Sequence, residues 1–191
     1  MSRLRIAGVQ RVFCAALASA ALAGCATPAT DPVREALDER DGTTITQLAA
    51  PLTFIADAPR SSGSDPFAFL APFESNRMGQ RRLHLWVAVP VESKADVAVI
   101  LWRDGVELLR ASGPIAGPED RDAAASRAPY PTTAAWQRPL VVDLNADVLA
   151  ALAQAATLTI EMRFADGHSE RFASEKPTQA PLQEFRRRLG L

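Results

Sequence analysis

The sequence predicts a mainly β protein: an antiparallel β-sandwich of about seven to nine short strands, with one inserted helix and a C-terminal helix. Three observations lead there. A period-two run sets Leu83, Leu85, Val87, Val89 and Val91 against Arg82, His84, Trp86 and Ala88, marking a central strand with its aliphatic face in the core. Asp104-Gly105 and Asp166-Gly167 each divide two strand-forming runs and signal hairpins. The 14 prolines interrupt the chain too often for long helices. An α+β arrangement, both helices against one open sheet, is the alternative.

At the N-terminus, Arg3, Arg5 and Arg11 precede an apolar run from Val12 to Ala23 whose polar members are Cys14 and Ser19. This is the order of a secretory signal, and the run is too short to span a bilayer. Leu22-Ala23-Gly24-Cys25 closes it. The window resembles the lipobox of bacterial lipoproteins, in which the cysteine is acylated and becomes the first mature residue. The resemblance implies a signal peptide over residues 1–24 and lipidation at Cys25, with several acyl chains giving a stable anchor. Ala26 stands where Gram-negative lipoproteins kept in the inner membrane carry aspartate, which implies the outer membrane, facing the periplasm, with surface exposure left open. The competing reading is an ordinary signal peptide cut nearby, leaving Cys25 as a free thiol. Cys14 would be discarded in either case, so the mature chain has one cysteine and no internal disulfide.

Removing 24 of 191 residues leaves 167, enough for one domain with a real core. The signal takes three of the 21 basic residues and none of the 22 acidic ones, so the mature charge is -4 and gives no nucleic-acid footprint. Residues 25–42 read as the lipidated cysteine and a tether, and 43–191 as a single β-rich domain. Within the tether, Val33 to Glu39 suits two turns of helix, with Asp31 as cap and Pro32 at the first helical position.

Thr43 to Leu48 and Leu52 to Ala56 are short strands parted by Ala-Ala-Pro, where the proline forbids a continuous central strand. Phe67 to Phe73 is apolar on both faces. A two-residue loop at Asp104-Gly105 sets Trp102 opposite Glu107, Leu101 opposite Leu108 and Ile100 opposite Leu109. The same count at Asp166-Gly167 sets Arg163 opposite Glu170. Leu140 to Leu144 is a strand running into Asn145, a good helix cap, after which Val148, Leu149, Leu152 and Ala155 recur at helical spacing. Leu182, Phe185 and Leu189 mark the C-terminal helix, whose Arg186-Arg187-Arg188 suits the helix dipole. Residues 113–139, with five prolines, read as one long irregular loop.

Chemistry-bearing patterns are sparse. His84 and His168 are the only histidines, and no Gly-x-Ser-x-Gly elbow accompanies them. No His-x-x-x-His pair supports a transition metal, and Glu119, Asp120 and Asp122 lack the spacing of a calcium loop. No phosphate loop is present. Catalytic residues, metal ligands and cofactors are therefore assigned to none. Tyr130 and Trp136, aromatic residues in the proline-rich loop, are the candidate binding residues. The segment Leu70-Ala71-Pro72-Phe73-Glu74-Ser75-Asn76-Arg77-Met78-Gly79, with the Leu-His-Leu-Trp strand after it, resembles small lipoproteins of proteobacteria, which implies location alone. The expected function is a non-enzymatic, lipid-anchored envelope module that binds or scaffolds an envelope protein or glycan. The alternative is a small periplasmic hydrolase using His84.

Overall fold

The computed structural model describes residues 31–39, 41–58, 67–91, 96–114, 129–130 and 137–191. Among them run β1 (Val33–Asp38), β2 (Thr43–Leu48), β3 (Leu52–Ala56), β4 (Phe67–Arg77), β5 (Gln80–Pro90), β6 (Asp96–Arg103), β7 (Val106–Pro114) and β8 (Gln137–Leu144). Then come α1 (Ala146–Gln154), β9 (Leu158–Phe164), β10 (Ser169–Ser174) and α2 (Gln179–Leu189). Every pair of strands is antiparallel. The mainly β fold with an inserted and a C-terminal helix matches the sequence-based expectation. The described strands number ten, and β4 and β5 are long, at 11 residues each.

β4 organises the sheet. One edge pairs with β5 from Phe69 to Arg77, so β2 and β3 lie end to end along the other. Between the pairs Gln47↔Phe73 and Leu52↔Leu70, the β2–β3 chain advances five residues and β4 only three. The two extra residues fall in Ala49-Ala50-Pro51, where the sequence forbade a continuous strand. Beyond this break the sheet forks: β1 pairs with β2, and β10 with β3. One half reads β8-β5-β4-β2-β1 and the other β3-β10-β9-β6-β7.

The halves face each other across one core. Leu70, Leu85, Val87, Leu140 and Val142 from the first, with Val99, Leu101, Leu109, Ala111 and Ile160 from the second, line a residual space of only about 10 Å³. That is tight packing of the kind protein interiors show. α1 and α2 pack on each other; α2 touches β1 and β2, while α1 touches β7. Leu149 and Leu152 of α1 and Leu182 and Phe185 of α2 are fully buried in this same core. The helices thus bridge both halves of a folded sheet and do not cover one open sheet. Asn145 caps α1 as expected, its Oδ1 accepting Val148 N–H at 2.8 Å. Gly190, at φ 73°, ends α2 in the left-handed region. Arg81 joins the β4–β5 hairpin to that end, donating to Glu74 at 2.7 Å and to the Leu189 carbonyl at 2.9 Å.

Two local expectations are corrected. Residues Val33–Asp38 are a strand, with Val33 opposite Leu48 and Asp38 opposite Thr43. The helix signal at Asp31-Pro32 is outweighed by pairing with β2 and burial of Val33, and the compact unit begins at Pro32, well before residue 43. The second concerns hairpin register. Asp104 and Gly105, at φ 50° and 79°, form the expected two-residue turn, and Trp102 faces Glu107. A bulge then sets Leu101 opposite Leu109 and Ile100 opposite Arg110, which keeps Leu109 and Ala111 on the core side. At Asp166-Gly167 only the glycine has positive φ. Gly167 N–H donates to the Phe164 carbonyl and Phe164 N–H to the His168 carbonyl, giving a three-residue loop. Ser169 therefore faces Arg163, and Arg171 faces Glu161. The long loop is also shorter than expected, since β7 reaches Pro114 and β8 starts at Gln137. Pro139 within β8 is tolerated because, among the described residues, that strand pairs only with β5.

A third tight turn, Met78-Gly79 at φ 52° and 83°, joins β4 to β5. Left-handed backbone costs an ordinary residue about 1 to 2 kcal/mol, whereas asparagine adopts it readily. Met78→Asn is therefore expected to stabilise the fold by about 0.5 to 1 kcal/mol. Gly105→Val is expected to destabilise it by about 1 to 3 kcal/mol, through backbone strain alone, because a Cβ there meets nothing within 4 Å. Urea denaturation of both variants checks the opposite signs.

Candidate functional site

Alternation along β5 puts His84 and Trp86 on the sheet face opposite Leu85 and Val87, where Trp86 is itself buried, and the ladders set their neighbours. Phe73 on β4 and Asp143 on β8 lie on either side of His84, while Ser75 lies opposite Arg82. These six residues, His84, Trp86, Phe73, Asp143, Ser75 and Arg82, share one sheet face. His84 Nδ1 is 3.1 Å from Asp143 Oδ1, and His84 Nε2 is 3.1 Å from Ser75 Oγ. An ionised carboxylate only accepts, so Nδ1 carries a proton, and in the neutral imidazole Nε2 then accepts from the Ser75 hydroxyl. Phe73 stacks on the imidazole with centroids 4.9 Å apart. The His84 side chain is 12% exposed and that of Asp143 94%. Arg82, Leu83, Asp143 and Asn145 line an open depression beside them. His168, by contrast, lies on its turn, stacked on Phe164 and largely exposed.

Tyr130 is buried, at 6% exposure. Its ring tilts onto Trp86 at 5.1 Å, Arg34 lies over it at 5.9 Å, and its hydroxyl donates to the Leu48 carbonyl at 2.6 Å. Burial pushes this phenol well above its ordinary range, with Arg34 and the Leu48 hydrogen bond opposing less strongly. The ring is spent on packing and offers a partner little surface, contrary to a binding role read from its place in a loop. Trp136, Cys25, the segment 1–24 and the acidic group Glu119, Asp120 and Asp122 lie outside the described residues.

The Leu48 contact has a cause in the ladder. Counting from Arg77↔Gln80, the hydrogen-bonded pair that closes the two-residue turn, Pro72↔Leu85 is a non-hydrogen-bonded pair, so the Pro72 nitrogen faces the β2–β3 edge. In the β2 register Leu48 falls opposite Pro72, which has no N–H to give. The tyrosine hydroxyl serves that carbonyl instead.

The opposite half carries a charged cluster on its outer face. Glu161, 2% exposed at its side chain, accepts from Arg163 at 2.7 Å and from Arg171 at 3.4 Å, and Arg171 lies 5.9 Å over the Trp102 ring. Burial raises the Glu161 carboxyl, but the Arg163 hydrogen bond and the charges of Arg163 and Arg171 together outweigh it and hold the group below its ordinary range. The corrected hairpin register sets Arg171 opposite Glu161, while Arg163 reaches it from two residues along the same strand; the expected Arg163–Glu170 pairing does not form. In α2, Arg187 pairs with Glu184.

Ser75 and Asp143 were not singled out from the sequence. A signal for Ser75 exists in the count back from Met78-Gly79, whereas Asp143 reaches His84 only through a pairing that spans residues 84 to 143. No protein family, curated protein or solved structure matches this chain.

Tyr130→Phe is expected to cost about 1 to 3 kcal/mol, the penalty for leaving a buried carbonyl without a donor. In a Pro72→Ala background, where the alanine N–H is available to Leu48, the same change is expected to cost less. Chemical denaturation of the four variants in this double-mutant cycle measures the coupling.

Proposed function

We propose that this protein is a lipid-anchored module of the bacterial cell envelope, held at the outer membrane facing the periplasm, which binds or scaffolds another envelope component. The observation that carries the reading is Leu22-Ala23-Gly24-Cys25 after a basic and then an apolar segment. In the sequence, five residues separate Cys25 from Asp31, where the described part of the chain begins. A link this short favours partners that are themselves at the membrane or in the adjacent cell wall, either protein or glycan. Trp136 is the remaining aromatic contact candidate from the proline-rich segment.

Metabolic labelling with palmitate, followed by membrane fractionation, tests the anchor. Wild type is expected to take up label and sediment with outer membranes, and Cys25→Ala is expected to do neither and to keep its signal segment. Equal labelling of the two chains contradicts the proposal.

A further inference from the structure

We propose that Ser75 is an acyl-accepting nucleophile, with His84 as its general base and Asp143 as the residue that positions His84, acting on a carboxylic ester. The inference goes beyond anchoring and does not depend on it. It rests on the order of the contacts: hydroxyl to Nε2, Nδ1 to carboxylate, each at 3.1 Å, across three adjacent strands. This is the connectivity in which a base can take the hydroxyl proton while the carboxylate fixes the tautomer. Phe73 stacked on one face of the imidazole restricts its rotation, and its low exposure strengthens the polar contacts it makes. With Asp143 94% exposed, the aspartate contact contributes little to stability, so its main consequence is the state of the histidine.

The chemistry balances with water as the only co-reactant. As the Ser75 Oγ–carbon bond forms and the carbonyl π bond opens, the hydroxyl proton passes to His84 Nε2. Collapse of the tetrahedral adduct breaks the bond to the alkoxy oxygen, which takes the proton from Nε2 and leaves as alcohol. Water then adds to the acyl carbon with His84 again as base, and breaking the Ser75 ester releases the carboxylic acid and restores the hydroxyl. Arg82, opposite Ser75 in the ladder and on the same face, is the cation within the proposal that would stabilise the developing oxyanion. Arg82 and Asp143, which flank the pair, also line an open depression, and Ser75 itself is partly exposed.

The test is covalent labelling of the full chain by a serine-reactive fluorophosphonate, with the modified residue located by mass spectrometry and folding checked by circular dichroism. Wild type is expected to be labelled at Ser75, faster as pH rises and the imidazole loses its proton. Ser75→Ala and His84→Ala are expected to lose the label. Should His84→Ala unfold, Asp143→Asn decides, since so exposed a side chain is dispensable for folding. Its labelling is expected to slow by about tenfold or more, with the pH profile displaced to lower pH because the imidazole has lost its carboxylate. A hydrogen bond that serves only the fold would leave the labelling rate unchanged at a pH where the imidazole is neutral in both chains. Absence of label from folded wild type, label at another residue, or an unchanged rate at that pH in Asp143→Asn overturns the proposal.

Discussion

Pro72 has no N–H, and the sheet is arranged around that absence. The proline stands in the middle of β4, a strand paired on both edges, where a missing donor would normally break a ladder. Here it falls opposite Leu48, the last residue of β2, one step past the final ladder pair Gln47↔Phe73 and before β3 begins, so the neighbouring chain is released from pairing at Ala49-Ala50-Pro51. The release allows β2 to lead to β1 and β3 to lead to β10, so that one strand serves both halves of the fold. The cost is the stranded Leu48 carbonyl, which the Tyr130 hydroxyl satisfies at 2.6 Å. Fork and sheet are thereby tied at one point, where Tyr130 contributes both its hydroxyl and its packing on Trp86.

What the sequence made legible follows from how local each determinant is. The alternation from Leu83 to Val91 is a property of one strand, and its aliphatic face lies in the core at Leu85, Val87 and Val89, although Trp86 and Ala88 on the other face are buried as well. Asp104-Gly105 encodes its turn in two residues, and the turn is as expected. The register beyond it is less local, because the bulge at Leu101/Trp102 answers to which side chains reach the core. Asp166-Gly167 uses the same dipeptide for a different loop, with only the glycine at positive φ, so a two-residue count misplaces every later pair by one. β1 fails for the opposite reason: Asp31-Pro32 is a sound helix start locally, but Val33 gains more from burial beside Leu48.

The candidate site divides in the same way. His84 stood out because histidine is scarce, and the strand pattern placed it away from the core. Ser75 required recognising Met78-Gly79 as a tight turn, which methionine disguises. Asp143 required the β5–β8 pairing, for which nothing between residues 84 and 143 supplies a local rule. Address and chemistry accordingly come from different levels of the molecule. The anchoring proposal rests on a linear motif at Cys25, and the proposed nucleophile on three side chains that only the folded sheet assembles.

The central structural claim is that sharing β4 makes the two halves one cooperative unit. Native-state hydrogen exchange across a denaturant series measures this most directly. Amides of Leu85 and Val87 in one half, and of Ile160 and Met162 in the other, are predicted to open with a single free energy equal to that of global unfolding, with Leu70 and Glu74 of β4 among the slowest to exchange. Two separate opening energies, one for each half, or β4 amides exchanging ahead of those in β5 and β9, would contradict the account.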